Sequence, residues 1–349
     1  MTPASIDRQI DLRSDLHARP TEEMWEAMRA APLGWATYGE DPSVNELQER
    51  VAGLLGKEAA LWVPTCAMAN LVALLTIAPR GSTVVLEASS HVLTSEAMGI
   101  EEIAGLEPRS LWAADGRLDP VEVEELIVET GATMLVLENT HTRAGGTVLT
   151  PELTAALAGA AQRHGAYVHL DGARLFNAAV ALGVPVRELA APVNTVAVSL
   201  NKGLCAPMGT ILAGRTQVIE LAHRTLGRLG GASVHKAGIA AAAALVALDT
   251  LVERLADDHR RARELGALLQ EVPGLEVEPA EIETNIVLVD VSGTELYPDE
   301  FLRLLAERGV LGLERDTSRV RFVTHRLIGD ADVASAAEFV NEVVAASAA

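Results

Sequence analysis

Four short apolar runs, 82–87, 134–138, 167–171 and 195–199, end on the polar residues Glu87, Glu138, Asp171 and Ser199. Between them lie stretches with helical periodicity, among them 120–130 opened by Asp119 and 151–164 opened by Thr150. Aspartate and threonine cap helix N-termini well, and a proline at the first helical position suits both starts. Such alternation predicts an α/β fold around a mostly parallel sheet, because each parallel neighbour needs a crossover connection. Ligands of these sheets sit beyond the carboxyl ends of the strands. Glu138, Asp171 and Ser199 therefore mark the edge where chemistry is expected.

The pattern changes after residue 237. An alanine-rich run passes into the charged patch Glu253 to Glu264, and the spacing predicts one long helix over 237–269. A strand at 286–290, a helix at 298–308, a strand at 320–323 and a helix at 330–345 then form a second, smaller α/β pattern. The expected organisation is an N-terminal arm over 1–22, a large domain over 23–252 and a small C-terminal domain over 253–349. With 349 residues, 49% of them hydrophobic, the chain can bury a sizeable core. A net charge of −20 repels nucleic acid and anionic membranes, so neither is expected as a partner. The most apolar run, 237–251, is too short to span a bilayer. The first eight residues show no basic stretch leading into an apolar one, so no secretory leader is expected. Two cysteines, Cys66 and Cys205, make no disulfide framework, and a reducing cytoplasmic setting fits them. The histidines lack ligand spacing and there is no Cys-x-x-Cys, so no metal centre is expected.

The chemistry centres on Ala197-Val-Ser-Leu-Asn-Lys-Gly-Leu-Cys-Ala-Pro-Met-Gly209. It sets Lys202 between an apolar run and a glycine-containing turn. A lysine kept from water loses proton affinity and can form a Schiff base with an aldehyde. Some thirty residues upstream, Tyr167-Val-His-Leu-Asp-Gly-Ala-Arg174 ends a strand on Asp171. An aspartate there can pair with a pyridinium nitrogen, and the two together suit pyridoxal 5'-phosphate (PLP). Arg174 offers a planar fork for a substrate carboxylate. In Pro64-Thr-Cys-Ala-Met-Ala-Asn70 small residues lead into an apolar helix, so the backbone N–H groups of Cys66 and Ala67 can receive a phosphate. His91 and His141 follow strands; one would stack on the ring and the other reach the reacting side chain. Arg321 is a charge at an apolar strand position, read either as an edge-strand residue or as a second carboxylate ligand. His164 and His169 read as structural.

Together these segments resemble the low-specificity L-threonine aldolase family, a group of fold-type I PLP enzymes related to the β-eliminating lyases. The likeness runs from about Ile6 to Arg326. It rests on Asp11-Leu-Arg-Ser-Asp15, Arg19-Pro-Thr21, Tyr38-Gly-Glu-Asp-Pro42, Gly56-Lys-Glu-Ala-Ala60, Met68-Ala-Asn70, Glu138-Asn-Thr-His141, His169-Leu-Asp-Gly-Ala-Arg-Leu-Phe-Asn177, Asn201-Lys-Gly-Leu204 and Val320-Arg-Phe-Val-Thr-His325. The resemblance implies an aspartate aminotransferase-like architecture, a mostly parallel seven-stranded sheet with a smaller C-terminal α/β domain. It implies Lys202 as the Schiff-base lysine, Asp171 as partner of the ring nitrogen, His91 as the stacking residue, and Cys66 and Ala67 as the phosphate turn. Ser14, Arg174 and Arg321 match the carboxylate-binding set, and His141 the histidine near the substrate β-hydroxyl. Tyr38 matches a residue reaching the site from a neighbouring subunit, and the family assembles as homotetramers whose dimers share active sites. The implied reaction is retro-aldol cleavage of a β-hydroxy-α-amino acid, threonine or allo-threonine in kind, to glycine and an aldehyde.

The chain departs from the family pattern at Asp15-Leu-His-Ala-Arg-Pro20, at Gly34-Trp-Ala-Thr-Tyr38, at the turn Thr65-Cys-Ala67, and at Asn201 before the lysine. Val234-His-Lys236 replaces an arginine-containing segment, leaving His235 or Lys236 to supply a cation near the cofactor phosphate. These changes surround the substrate mouth and the phosphate. Racemisation, β-elimination and transaldol chemistry on an amino acid stay open alternatives, as does a non-catalytic homologue.

Overall fold

The computed structural model describes residues 9–96 and 98–347. The stretch read above for a leader lies outside them, as does the start of the arm. Seven strands form the large sheet, in the spatial order Ala59–Val63, Thr210–Gly214, Thr195–Ser199, Tyr167–Asp171, Met134–Glu138, Thr83–Glu87, Glu107–Leu111. Thr210–Gly214 runs antiparallel to both its neighbours, and the remaining pairings are parallel. The parallel strands 134–138 and 195–199 are buried along their whole length, as expected of a sheet covered on both faces. Glu107–Leu111 carries Pro108 and sits at the sheet edge, where a missing N–H is tolerated; its polar, proline-bearing sequence gave no strand signal.

Helix starts follow their caps. Asp119, Thr150 and Thr65 each accept a backbone N–H in the first turn of Pro120–Thr130, Pro151–Gln162 and Cys66–Ile77. The long helix expected over 237–269 is two helices, Gly238–Thr250 and Leu255–Gln270. Between them the bonds Leu255 N–H to Val252 O and Ala256 N–H to Glu253 O tighten the chain. Leu251 and Leu255, on either side of the break, are both buried in the large core.

A second core lies under a four-stranded antiparallel sheet ordered Leu313–Glu314, Arg319–Val323, Ile286–Asp290, Glu276–Glu278. Ile10 and Leu12 belong to this core, and Ile10–Asp11 pairs in parallel with Val310–Leu311. The N-terminal segment is thus anchored to the C-terminal sheet before it reaches the large domain. Arg319–Val323 lies inside that sheet, paired on both sides, so Arg321 is no edge-strand residue.

The connection from Ser199 to Thr210 carries Lys202 across the carboxyl edge of the large sheet. Leu200 N–H donates to Gly209 O, Ala206 N–H to Leu200 O and Cys205 N–H to Lys202 O, which fold it into a compact loop. Gly209 has φ +116°, and a Cβ there would lie 2.5 Å from Trp62 Nε1. Only glycine meets both demands. Gly209→Ala should therefore lower stability by about 1–3 kcal/mol, read from urea unfolding. An unchanged midpoint would mean that the loop does not depend on this close approach.

Candidate active site

The strand ends Glu87, Glu138 and Asp171 and the loops beyond them converge at one edge of the sheet. Asp171 is 1% exposed. Its Oδ1 accepts the Ala173 N–H at 3.0 Å, which fixes the turn that delivers Arg174. Gly172 is needed in that turn, since a Cβ would sit 2.8 Å from the Ala197 carbonyl. Asp171 Oδ2 accepts from Asn70 Nδ2 at 3.0 Å, and Cys66 Sγ lies 3.6 Å from Oδ1. Burial, then the nearby Glu138 and Glu96 carboxylates, push its pKa above the usual carboxylate range, while Lys202 and His91 pull it down. A cation placed against it would be strongly favoured.

Asn70 heads a buried chain behind Asp171. Its amide NH₂ donates to Asp171 and, at 2.9 Å, to Glu96 Oε1, leaving its oxygen to accept from His169 Nε2 at 3.0 Å. His169 Nδ1 meets Thr195 Oγ1 at 2.9 Å. Burial holds the His169 pKa down at about 3, so the ring is neutral, with its proton on Nε2 by this arrangement. His169 is structural as expected, and what it holds in place is Asp171. His164 instead pairs with Glu124 on the surface.

Lys202 keeps some accessible surface, and among the described residues its amine makes no hydrogen bond. Desolvation, then the Arg174 guanidinium, lower its pKa; Cys66, Asp15 and Asp171 act the other way. The chain has three lysines, Lys57, Lys202 and Lys236. Lys57 donates to Val193 O near the opposite strand ends, and Lys236 is exposed. Lys202 is the one carried by the loop at this edge.

Asp15 received no role from the sequence, although its motif was quoted. It is fully buried and grips Arg174 through two bonds of 2.8 Å, Nε to Oδ2 and Nη2 to Oδ1. Arg174 Nη1 donates to Thr142 Oγ1 at 3.0 Å. The Arg174 fork, expected to be open for substrate, is therefore held by Asp15. Asn285 of the small sheet also donates to Asp15 Oδ2, at 3.3 Å, and Ser14 Oγ lies 3.4 Å from Oδ1. Burial alone would raise the Asp15 pKa, but Arg174 holds it well below the usual range. Arg321 is freer. Its Nη2 donates to Arg13 O at 3.1 Å, and its Nε is buried without a partner. Burial, then Arg174, bring its pKa down to about 10.

His91 opens a short helix, and its Nδ1 is 3.0 Å from Glu96 Oε1. That bond raises its pKa against the opposing effect of burial. The His91 N–H donates to Glu138 Oε2 at 2.6 Å. His141 is 1% exposed, with Nε2 2.9 Å from Glu87 Oε2, and Gly116 packs against its ring. Burial opposes protonation, but Glu138 and Glu87 outweigh it and raise the pKa. His141 is thus buried beside two glutamates, and its Nδ1 has no hydrogen-bond partner among the described residues.

The N-terminus of the twelve-residue helix Cys66–Ile77 completes the edge. Thr65 Oγ1 takes the Met68 N–H, and the N–H groups of Cys66 and Ala67 have no protein partner among the described residues. Tyr38, Trp35, His235 and Lys236 are not drawn into this cluster. Tyr38 is 69% exposed and packs edge-on against Trp35, which packs against His235. His235 and Lys236 are exposed. His91, Glu96 and Asp171 lie close enough to offer one ligand atom each to a cation, yet Asn70 and the His91–Glu96 bond already occupy those atoms.

Comparison with known proteins agrees with this constellation. The beta-eliminating lyase family model matches residues 11–292. Low-specificity L-threonine aldolase 1 of Arabidopsis thaliana is 39% identical over 94% of each chain. The fold is similar to a putative L-allo-threonine aldolase from Listeria monocytogenes, with a TM-score of 0.83 at 21% identity over 97% of each chain. It is also similar to an aspartate aminotransferase from Rhodobacter sphaeroides, with a TM-score of 0.76 at 19% identity over 98% of this chain and 93% of that one. The architecture implied by the sequence is the one observed.

Removing the Asp15 charge leaves Arg174 buried and uncompensated. Asp15→Asn should cost about 3–5 kcal/mol near neutral pH, measured by urea unfolding. Because the folded pKa of Asp15 is depressed, its contribution is full above the unfolded value and fades as pH falls through the folded one. The deficit should therefore shrink on acidification. A deficit independent of pH would show that the loss is one of packing.

Proposed function

The chain belongs to the beta-eliminating lyase family, and from that membership and the site we infer a PLP-dependent carbon–carbon lyase that cleaves threonine-like β-hydroxy-α-amino acids to glycine and an aldehyde. The observation that carries the reading is the pairing of Lys202, unbonded and reduced in proton affinity, with Asp171, a buried carboxylate surrounded by other carboxylates. The residues fit the cofactor. Lys202 would hold its aldehyde carbon, Asp171 its ring nitrogen, His91 its face, and the N–H groups of Cys66 and Ala67 its phosphate. Bound there, PLP supplies a sink for the electron pair released as Cα–Cβ breaks.

The protein's own part is orientation and proton handling. Asp171 keeps a proton on the ring nitrogen, and the Asn70–His169–Thr195 chain keeps Asp171 aimed. Arg321, with an unpartnered Nε, receives the substrate carboxylate beside Ser14. Arg174 shapes that wall while Asp15 fixes its fork. Holding the carboxylate sets the bond to Cβ across the ring plane, which selects it for cleavage over the Cα–H bond. With His141 buried, His91 is the base for the β-hydroxyl. Glu96 engages its Nδ1, and Nε2 has no partner among the described residues.

The substrate is a small amino acid, and the active species a homo-oligomer whose sites are shared across a dimer. The exposed Trp35–Tyr38–His235 cluster supports that assembly as a face for a neighbouring copy. His235 and Lys236 would then meet the phosphate of a neighbouring subunit.

Incubation of holoenzyme with threonine and allo-threonine should release equimolar acetaldehyde and glycine; α-proton exchange without aldehyde would replace this reading with racemisation. His91→Asn should lower kcat by about 10²–10⁴-fold. A base must be deprotonated, and the Glu96 bond raises the His91 pKa, so kcat/KM should rise with pH through a value above 6.5. Glu96→Gln should move that limb downward. A limb unmoved by Glu96→Gln would assign the base elsewhere.

A further inference from the structure

Between the two sheets lies a cavity of about 330 Å³. Ser89, Arg143 and Ala144 line it from the loops that also carry His91 and His141, and Arg315 and Arg319 line it from the small sheet. Two acids share the lining, and both are spoken for. Asp115 pairs with Arg117 at 3.1 Å, and Glu278 pairs with Arg319 at 2.9 Å, while Arg319 also holds Asp316. Two guanidinium groups are left over. Among the described residues Arg143 has only the neutral Ser95 hydroxyl, at 3.2 Å. Arg315 Nε is buried, and among the described residues its side chain has no hydrogen-bond partner.

Two unpaired arginines in one partly desolvated cavity repel each other, an arrangement that loses free energy until an anion joins them. It is the more unusual in a chain of net charge −20, where acids are abundant. Leu288, which also lines the cavity, is paired in register with Arg321, and Ser89 and Ala144 lie within three residues of His91 and His141, so the cavity adjoins the candidate site. It is distinct from the Asp15–Arg174 wall and is lined by the two loops that carry His91 and His141.

We propose that Arg143 and Arg315 form a second anion subsite, which selects β-hydroxy-α-amino acids whose side chain ends in a carboxylate or phosphate. This rests on the lyase reading above. The reaction keeps its balance: the β-hydroxyl loses its proton, Cα–Cβ breaks with the electron pair going to Cα, and Cα is reprotonated. From 3-hydroxyaspartate the products are glycine and glyoxylate, with no other reactant.

The test separates subsite from reaction. Aspartate and O-phosphoserine lack a β-hydroxyl on a cleavable carbon framework of this kind, so their binding to holoenzyme, measured by calorimetry against alanine, reads the subsite without retro-aldol turnover. At least one should bind about tenfold or more tighter than alanine, and the gap should close in Arg315→Met and in Arg143→Met. The larger gain, with aspartate or with phosphoserine, names the anion. In parallel, the ratio of kcat/KM for 3-hydroxyaspartate over threonine, or for 4-phosphonooxythreonine over threonine if phosphoserine gains more, should fall about tenfold or more in both variants. Equal affinities for all three ligands, or a ratio unmoved by both substitutions, would overturn the subsite. Absence of aldehyde from every β-hydroxy substrate, with the anionic ligands still preferred, would overturn the lyase reading and leave the subsite standing.

Discussion

The buried pair between Asp15 and Arg174 ties three parts of the chain at one point. Asp15 comes from the segment anchored on the small sheet, Arg174 from the turn after the central strand of the large sheet, and Asn285 from the small sheet itself. Two charges taken from water cost several kcal/mol each, and the bidentate geometry with added donors offsets that cost. Held by Asp15 and Thr142, Arg174 stays charged next to Lys202. The lowered proton affinity of Lys202 follows in part from that fixed cation.

A second constraint works in the opposite sense. Glu87, Glu96, Glu138 and Asp171 gather at the strand ends, opposed there by His91, His141 and Lys202. The histidines divide the task. His141 is buried beside Glu87 and Glu138, which raise its proton affinity, whereas His91 is the more accessible and is bonded to Glu96. Asp171 is left as the carboxylate that most gains from a cation, which is the property a pyridinium partner needs. The cationic cavity of Arg143 and Arg315 lies beside this acidic floor, and the acids in its own lining, Asp115 and Glu278, are already paired.

Much of this was legible in the sequence. The strands ending on Glu138, Asp171 and Ser199, the caps Thr65, Asp119 and Thr150, and the position of Lys202 follow from local periodicity and cap chemistry. The edge strand Glu107–Leu111 did not, because proline and charge erase the strand pattern where only one neighbour is needed. The roles of Asp15 and Asn70 were also hidden, since both depend on partners over a hundred residues away. Asn70 left one trace, an amide in an otherwise apolar helix. The single helix expected over 237–269 failed because no glycine or proline in 251–255 marks the break, where bonds of the i→i−3 kind replace the helical ones. The burial of His141 was hidden for a similar reason: nothing in Glu138-Asn-Thr-His141 reports that Gly116 closes over its ring.

The central claim is that Lys202 is the residue to which the cofactor is covalently joined. The scarcity of lysine makes the test clean, since only Lys57 and Lys236 compete with it. Purified protein saturated with PLP, reduced with borohydride and digested, should yield one modified peptide, carrying the cofactor on Lys202. Label on Lys57 or Lys236 alone, or no label after saturation, would contradict the account.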